Sequence, residues 1–183
     1  MQTQTTAEKT QTTDRDEPSI YIACLSSYNS GRLSGAWINP KTDRDELQAQ
    51  IDEVLKASPM PNAEEWAVHD YDNFPNLGEY PDLDKIIEVQ EAINEHDIDK
   101  VNGFLELWSI EDLDHIDDAF YGEYASFSEF AQNFADETIE GLSDGNSTLA
   151  RYFDYDAFER DLNHDFNETD ASGGNVYIWN SNW

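Results

Sequence analysis

Apolar positions follow two different periods along this chain, and the change from one to the other marks out its elements. Residues 1–18 come before both periods. They are rich in Gln and Thr and nearly free of apolar side chains, which predicts a disordered extension. Ile20-Tyr21-Ile22-Ala23-Cys24-Leu25 is a β-branched and aromatic run typical of a strand. After the turn formers Asn29, Ser30 and Gly31, a second strand is predicted over 33–38, ended by Asn39-Pro40. Thr42 or Asp43 can cap a helix to about Ala57, with Leu47, Ile51, Val54 and Leu55 on one face. Pro59 and Pro61 stop it, and Trp66-Ala67-Val68-His69 predicts a third strand.

Beyond the loop that starts at Asp70 the helical period takes over. A helix is predicted from Asp82 to Glu95 with Leu83, Ile86, Ile87 and Ile93 inward, and another from Ile98 to Trp108. Ser109-Ile110-Glu111-Asp112 resembles a capping box with Asp in place of Glu, opening a short helix with Leu113 and Ile116 inward. Ser126-Phe127-Ser128-Glu129 is a fuller capping box before Phe127, Phe130, Ala131, Phe134 and Ala135 at core spacing. From Leu149 to Leu162 one helix is predicted, with Leu149, Tyr152, Phe153, Phe158 and Leu162 mostly inward. A turn at 172–175 precedes a closing strand at Val176-Tyr177-Ile178-Trp179. The expected class is α+β, with an N-terminal unit over 19–75, an acidic helical middle domain over 76–120 and an acidic C-terminal domain over 121–183.

Charge changes this picture. The chain of 183 residues carries 40 Asp and Glu against 10 Lys and Arg, a net charge of −30. Solubility needs a magnitude of only about 2–8 in a small domain. From Asp82 to Asp144 there are 19 acids and two bases, Lys85 and Lys100, yet apolar residues recur through the stretch at helical spacing. Uninterrupted charge reads as disorder, whereas this segment reads as folded and charged. Asp84, Glu88, Glu91 and Glu95 form one helical stripe about 16 Å long, in which each like-charge neighbour costs roughly 0.2–0.5 kcal/mol. Asp112, Asp114, Asp117 and Asp118 lie on or beside the short helix, and Glu129, Asp136 and Glu140 lie on the polar side of the phenylalanine-rich one. A strongly positive partner surface is the leading inference. Direct nucleic-acid binding is excluded by the shortage of Lys and Arg.

Candidate chemistry adds little. Cys24 is the single cysteine, so neither an intrachain disulfide nor a cysteine zinc cluster can form. His69, His96, His115 and His164 show no metal-ligand spacing, and Asp70 with Asp72 starts like a calcium loop that Phe74 breaks. No phosphate-binding glycine loop or nucleophile elbow is present, so no catalytic residue, metal or cofactor is expected. Two sequons, at Asn146 and Asn167, follow no secretory signal, no apolar run reaches membrane-spanning length, and a cytoplasmic location is expected.

The residues also carry a resemblance. The strand Ile20–Leu25 with Tyr28-Asn29-x-Gly31, then Gly35-Ala36-Trp37-Ile38, then Glu65-Trp66-Ala67-Val68-His69-Asp70-Tyr71, resemble the ArdA antirestriction proteins as a set. So does the run Leu149-Ala150-Arg151-Tyr152-x-Asp154-Tyr155-x-x-Phe158-x-Arg160-Asp161-Leu162, which is similar to that family's antirestriction motif region. With it go Asp156 and Glu159, which continue the acidic surface. The resemblance implies an elongated, curved protein of three small domains that dimerises through its C-terminal region. It implies a mimic of B-form DNA, carried by mobile genetic elements in bacterial hosts, that occupies the DNA-binding groove of type I restriction-modification enzymes. Duplex DNA has one charge per about 1.7 Å, so a pair of chains at −60 would match roughly 100 Å of it. Two other readings stay open beside it: an acidic module that sequesters a different basic DNA-binding protein, and a carboxylate-based hydrolase.

Overall fold

A computed structural model describes residues 17–61, 63–142 and 148–183. The N-terminal extension up to Asp16 and the sequon residues Asn146 and Ser147 lie outside the described residues. The chain divides into two compact units, one ending at Pro81 and the other running from Asp82 to Trp183.

The first unit is built on three antiparallel strands. Strand β1 (Ser19–Cys24) runs into a one-turn helix α1 (Leu25–Asn29), followed by β2 (Gly35–Ile38), helix α2 (Arg44–Lys56) and β3 (Trp66–Asp72), with β1 central in the order β2-β1-β3. Tyr21 pairs with Trp37 and Ile22 with Val68, and a register shift in the β1–β3 ladder falls between Tyr21 and Ile22. Helix α2 begins where Asp43 accepts the Glu46 N–H at 3.0 Å, so of the two candidate caps Asp43 rather than Thr42 starts it. Its Leu47, Ile51, Val54 and Leu55 are buried, together with Ile20, Ile22 and Cys24 of β1. This unit departs from expectation twice: the turn formers at 29–31 end a helical turn rather than filling a loop, and β3 continues through Asp72 by pairing with β1, where a loop from Asp70 is expected.

The second unit continues with α3 (Leu83–Glu95), α4 (Ile98–Leu107), a 3₁₀ turn (Ile110–His115), α5 (Ile116–Ala119) and β4 (Phe120–Tyr124). Then follow α6 (Phe127–Thr138), α7 (Thr148–Tyr152), α8 (Tyr155–Leu162), β5 (Phe166–Asp170) and β6 (Val176–Asn180). The three strands form an antiparallel sheet in the order β4-β6-β5, so the closing strand is its centre. Val-Tyr-Ile-Trp-Asn suits that place, because successive side chains point to opposite faces and both faces are covered. Ile178 packs with Phe127, Phe130, Ala131, Leu162 and Phe166 on the side of α6 and α8. Trp179 meets Phe104 of α4 and Phe120 of β4 on the other side, with ring centroids 5.8 and 5.3 Å away. Its indole N–H donates to Thr169 Oγ1 at 2.8 Å, satisfying a fully buried donor.

Three expectations are corrected here. From Phe120 onward, where mainly helical structure with one short closing strand is expected, the chain holds a three-stranded sheet, whereas the elements between Leu83 and Ala119 are helical as expected. Phe120–Tyr124 follows α5 with no intervening turn signal, and Phe166-Asn167-Glu168-Thr169-Asp170 offers one apolar side chain, as an edge strand can. The single helix expected from Leu149 to Leu162 is two. It breaks at Phe153-Asp154, because Asp154 turns its carboxylate to the Ala157 N–H at 3.0 Å and so starts α8. Finally, Leu149 and Tyr152 of α7 do not point inward; they are 44% and 83% exposed.

Candidate acidic interface

The second unit carries 26 Asp and Glu against four Lys and Arg, so −22 of the net charge lies in it. Helix α3 shows how the fold displays this charge. Ile86, Val89, Gln90 and Ala92 form its buried face, while Leu83, Ile87 and Ile93 are half-buried at the margins. Asp84, Glu91 and Glu95 are exposed and Glu88 is half-buried, on the opposite face as 3.6-residue periodicity requires. The predicted stripe therefore lies along the outside of the helix.

Contact between α3 and the 3₁₀ turn widens the stripe into a face. Partial burial, then the charges of Asp114 and Glu111, raises the Glu88 carboxyl above the ordinary glutamate range. Lys85 reaches across to Glu111 at 2.9 Å, and that bond is the main cause that holds the Glu111 carboxyl down at about 2. Lys100 is 2.9 Å from Asp117 and lowers its carboxyl, with His96 contributing at 3.8 Å. Both lysines of this region are thus engaged with carboxylates. Asp118 lies 3.3 Å from His115. Asp112 is half-buried and accepts both the N–H and the hydroxyl of Ser109, at 3.3 and 2.8 Å, which makes it a cap as much as a surface charge. Asp114, Asp117 and Asp118 are exposed.

On the other side of the sheet Glu129, Asp136 and Glu140 are exposed. Ser126 Oγ accepts the Glu129 N–H at 3.2 Å, while the Glu129 carboxylate reaches one residue farther back than a capping box requires, to the Ala125 N–H at 2.7 Å. Asp136 accepts the Tyr155 hydroxyl at 3.1 Å.

The motif residues divide by role in the fold. Leu162 is buried in the α6–α8 core, and Phe158 is half-buried against Phe134 and Phe153. Asp154 caps α8, and Glu159 accepts the Ser128 hydroxyl at 2.8 Å, tying α8 to α6. Tyr155 is half-buried, while Asp156, Arg160 and Asp161 are exposed together with Leu149 and Tyr152. The fold gathers Asp84 through Asp118 on one helical layer, and the residues of α6 and α8, among them Glu129, Asp136, Asp156, Glu159 and Asp161, on the layer across the sheet. Sequence reasoning missed the pairing of Lys85 with Glu111, which spans 26 positions and which no local period signals.

Among the described residues no three His, Cys, Asp or Glu side chains converge to hold a metal, and no helix is long and apolar enough to cross a membrane. Fold and surface together define the class: an α+β protein whose second unit is a folded scaffold for carboxylates. A family model described as antirestriction protein (ArdA) matches residues 20–177, from β1 into β6, and the chain belongs to that family. No curated protein matches the chain.

Proposed function

We propose that this protein acts as a mimic of B-form DNA that competitively occupies the DNA-binding groove of type I restriction-modification enzymes. The observation that carries the reading is the face built from α3 and residues 110–119. Its carboxylates are held by a packed sheet and helices, and the lysines nearby are already engaged. An enzyme that binds duplex positions Lys and Arg for phosphates, contacts that carry no sequence information. A rigid array of carboxylates satisfies those cations without presenting bases. It therefore competes with DNA whatever the recognition sequence. Asp84, Glu88, Glu91, Glu95, Asp114, Asp117 and Asp118 are the core of the mimicking surface, continued by Glu129, Asp136, Glu140, Asp156 and Asp161. An elongated three-domain form that dimerises through the motif region, with Leu149 and Tyr152 exposed there, belongs to the same reading.

The test is restriction in cells. Unmodified phage is plated on a host carrying a type I enzyme, with and without this protein. Plating should rise towards the level of modified phage when the protein is present. Unchanged plating with folded, abundant protein would sink the reading.

A further inference from the structure

The first unit contains a cavity that the acidic face does not use. It has a volume of about 620 Å³, with Tyr28, His69, Tyr71 and Glu79 around it and Val68 and Phe74 beneath. That is within the range of roughly 300–1,000 Å³ seen for ligand pockets.

Its outer wall is the loop after β3, and the backbone there is fixed in shape. Asn73 adopts φ 48° and Gly78 φ 87°. A non-glycine residue in the left-handed region persists where its surroundings hold it. Here the loop is stapled three times. The Val68 N–H donates to the Glu79 carbonyl at 2.9 Å, the Tyr71 hydroxyl to the Gly78 carbonyl at 2.6 Å, and the Gly78 N–H to Asn76 Oδ1 at 2.9 Å. Burial pushes the Tyr71 phenol up to about 12, so it remains a neutral donor.

The lining is aromatic and anionic. The Tyr28 ring is 53% exposed and meets the His69 ring edge-on at 4.9 Å. Tyr71 stacks on buried Phe74 at 6.1 Å. The Glu79 carboxylate is positioned by the Tyr80 hydroxyl, which donates to it at 3.1 Å, and lies 3.9 Å from His69 Nε2. Asp70 adds a second carboxylate, and no Lys or Arg lines the cavity among the described residues. Carboxylates repel an anion, and a neutral apolar ligand would strip water from them without offering a positive charge in return. An aromatic face beside a fixed carboxylate suits a planar cation, which can stack on the ring and pair with the oxygens at once.

We propose that this cavity binds a guanidinium group, the side chain of an arginine presented by a partner protein, stacked on Tyr28 and paired with Glu79. The site is built wholly from residues of the first unit and does not depend on the antirestriction reading.

The experiment is a titration of the full chain with N-acetyl-arginine amide, followed by backbone and side-chain NMR at about 0.15 M salt, where exposed charges farther apart than about 8 Å are screened. The citrulline analogue, of the same shape without the charge, and spermidine, a free polyamine, are the comparison arms. Saturable shifts should be confined to residues 28 and 68–79, with the citrulline analogue inert and spermidine weaker. Glu79→Gln and Tyr28→Ala should each weaken binding by about fivefold or more, and Tyr28→Phe should retain it. Glu91→Gln on α3 should leave it unchanged. The proposal is overturned if the shifts spread over residues 83–119, if Glu79→Gln binds as tightly as the parent, or if spermidine or the citrulline analogue binds as tightly as the arginine amide.

Discussion

Glu88 and Glu111 carry opposite signs in the pH dependence of folding. Lys85 depresses the Glu111 carboxyl to about 2, below its value in an unfolded chain. Its contribution is therefore present above the ordinary glutamate range and is lost as pH falls from there towards 2. Burial and neighbouring carboxylates raise Glu88. Its contribution is present below the ordinary glutamate range and is lost as pH rises through the raised value, so Glu88 opposes folding at neutral pH. Carboxyl-carbon NMR titration should show Glu111 titrating below and Glu88 above the ordinary glutamate value. Glu88→Gln should raise the neutral-pH melting temperature, and a fall would contradict this sign. At Asp154 the expectation is a lost cap: Asp154→Ala should cost about 1 kcal/mol in chemical denaturation. A change within error would mean that α8 starts without it.

Elements were legible where a cap and the start of an apolar period fell together. Asp43 before α2 and Ser126 before α6 sit next to the apolar residues they announce, and period and cap agree on the boundaries. The same holds for α3, whose acidic stripe follows from spacing alone. Strand β5 was illegible, since an edge strand with one apolar side chain has no period to detect. The break between α7 and α8 was missed for another reason. Asp154 reads as one more charge on a helix, and only its bond to Ala157 shows it to be a cap. The packing of α4 on the sheet also depends on contacts distant in sequence. A Cβ on Gly103 would lie 2.5 Å from Thr169 Oγ1 and 3.3 Å from the Trp179 ring, so a larger residue forces Thr169 or α4 to shift. Gly103→Ala should therefore cost roughly 1–3 kcal/mol through overpacking, with loss of the buried-indole signal in near-UV circular dichroism. Full retention of both would show that α4 can shift.

At the scale of the molecule, charge was the most legible property and its arrangement the least. The excess of acids and its concentration after Asp82 follow from counting. What counting does not give is that one sheet carries helical layers on both faces, so that acids far apart in sequence share a scaffold. Nor does it give the cavity of the first unit, whose Tyr28 and Glu79 are brought together only by the β1–β3 pairing and the loop after β3. Self-repulsion of this magnitude weakens the compact state, and added salt should raise the melting temperature of the isolated protein. The same salt should weaken the complex with a basic groove. These two responses have opposite directions and a common cause.

The central claim is that the carboxylates of α3 act together in place of phosphates. The most direct measurement is the affinity for a type I restriction-modification enzyme as a function of salt, for the parent chain and for Asp84→Asn, Glu88→Gln, Glu91→Gln and Glu95→Gln combined. Stability of the combined variant should stay level or rise, because three like-charge neighbours at roughly 0.2–0.5 kcal/mol each are relieved. The parent should show an affinity that falls steeply with salt and is displaced by duplex, as phosphate contacts are. The combined variant should bind more weakly and with a shallower slope than the parent or any single change. Parent-like affinity and slope in the folded combined variant would contradict the claim.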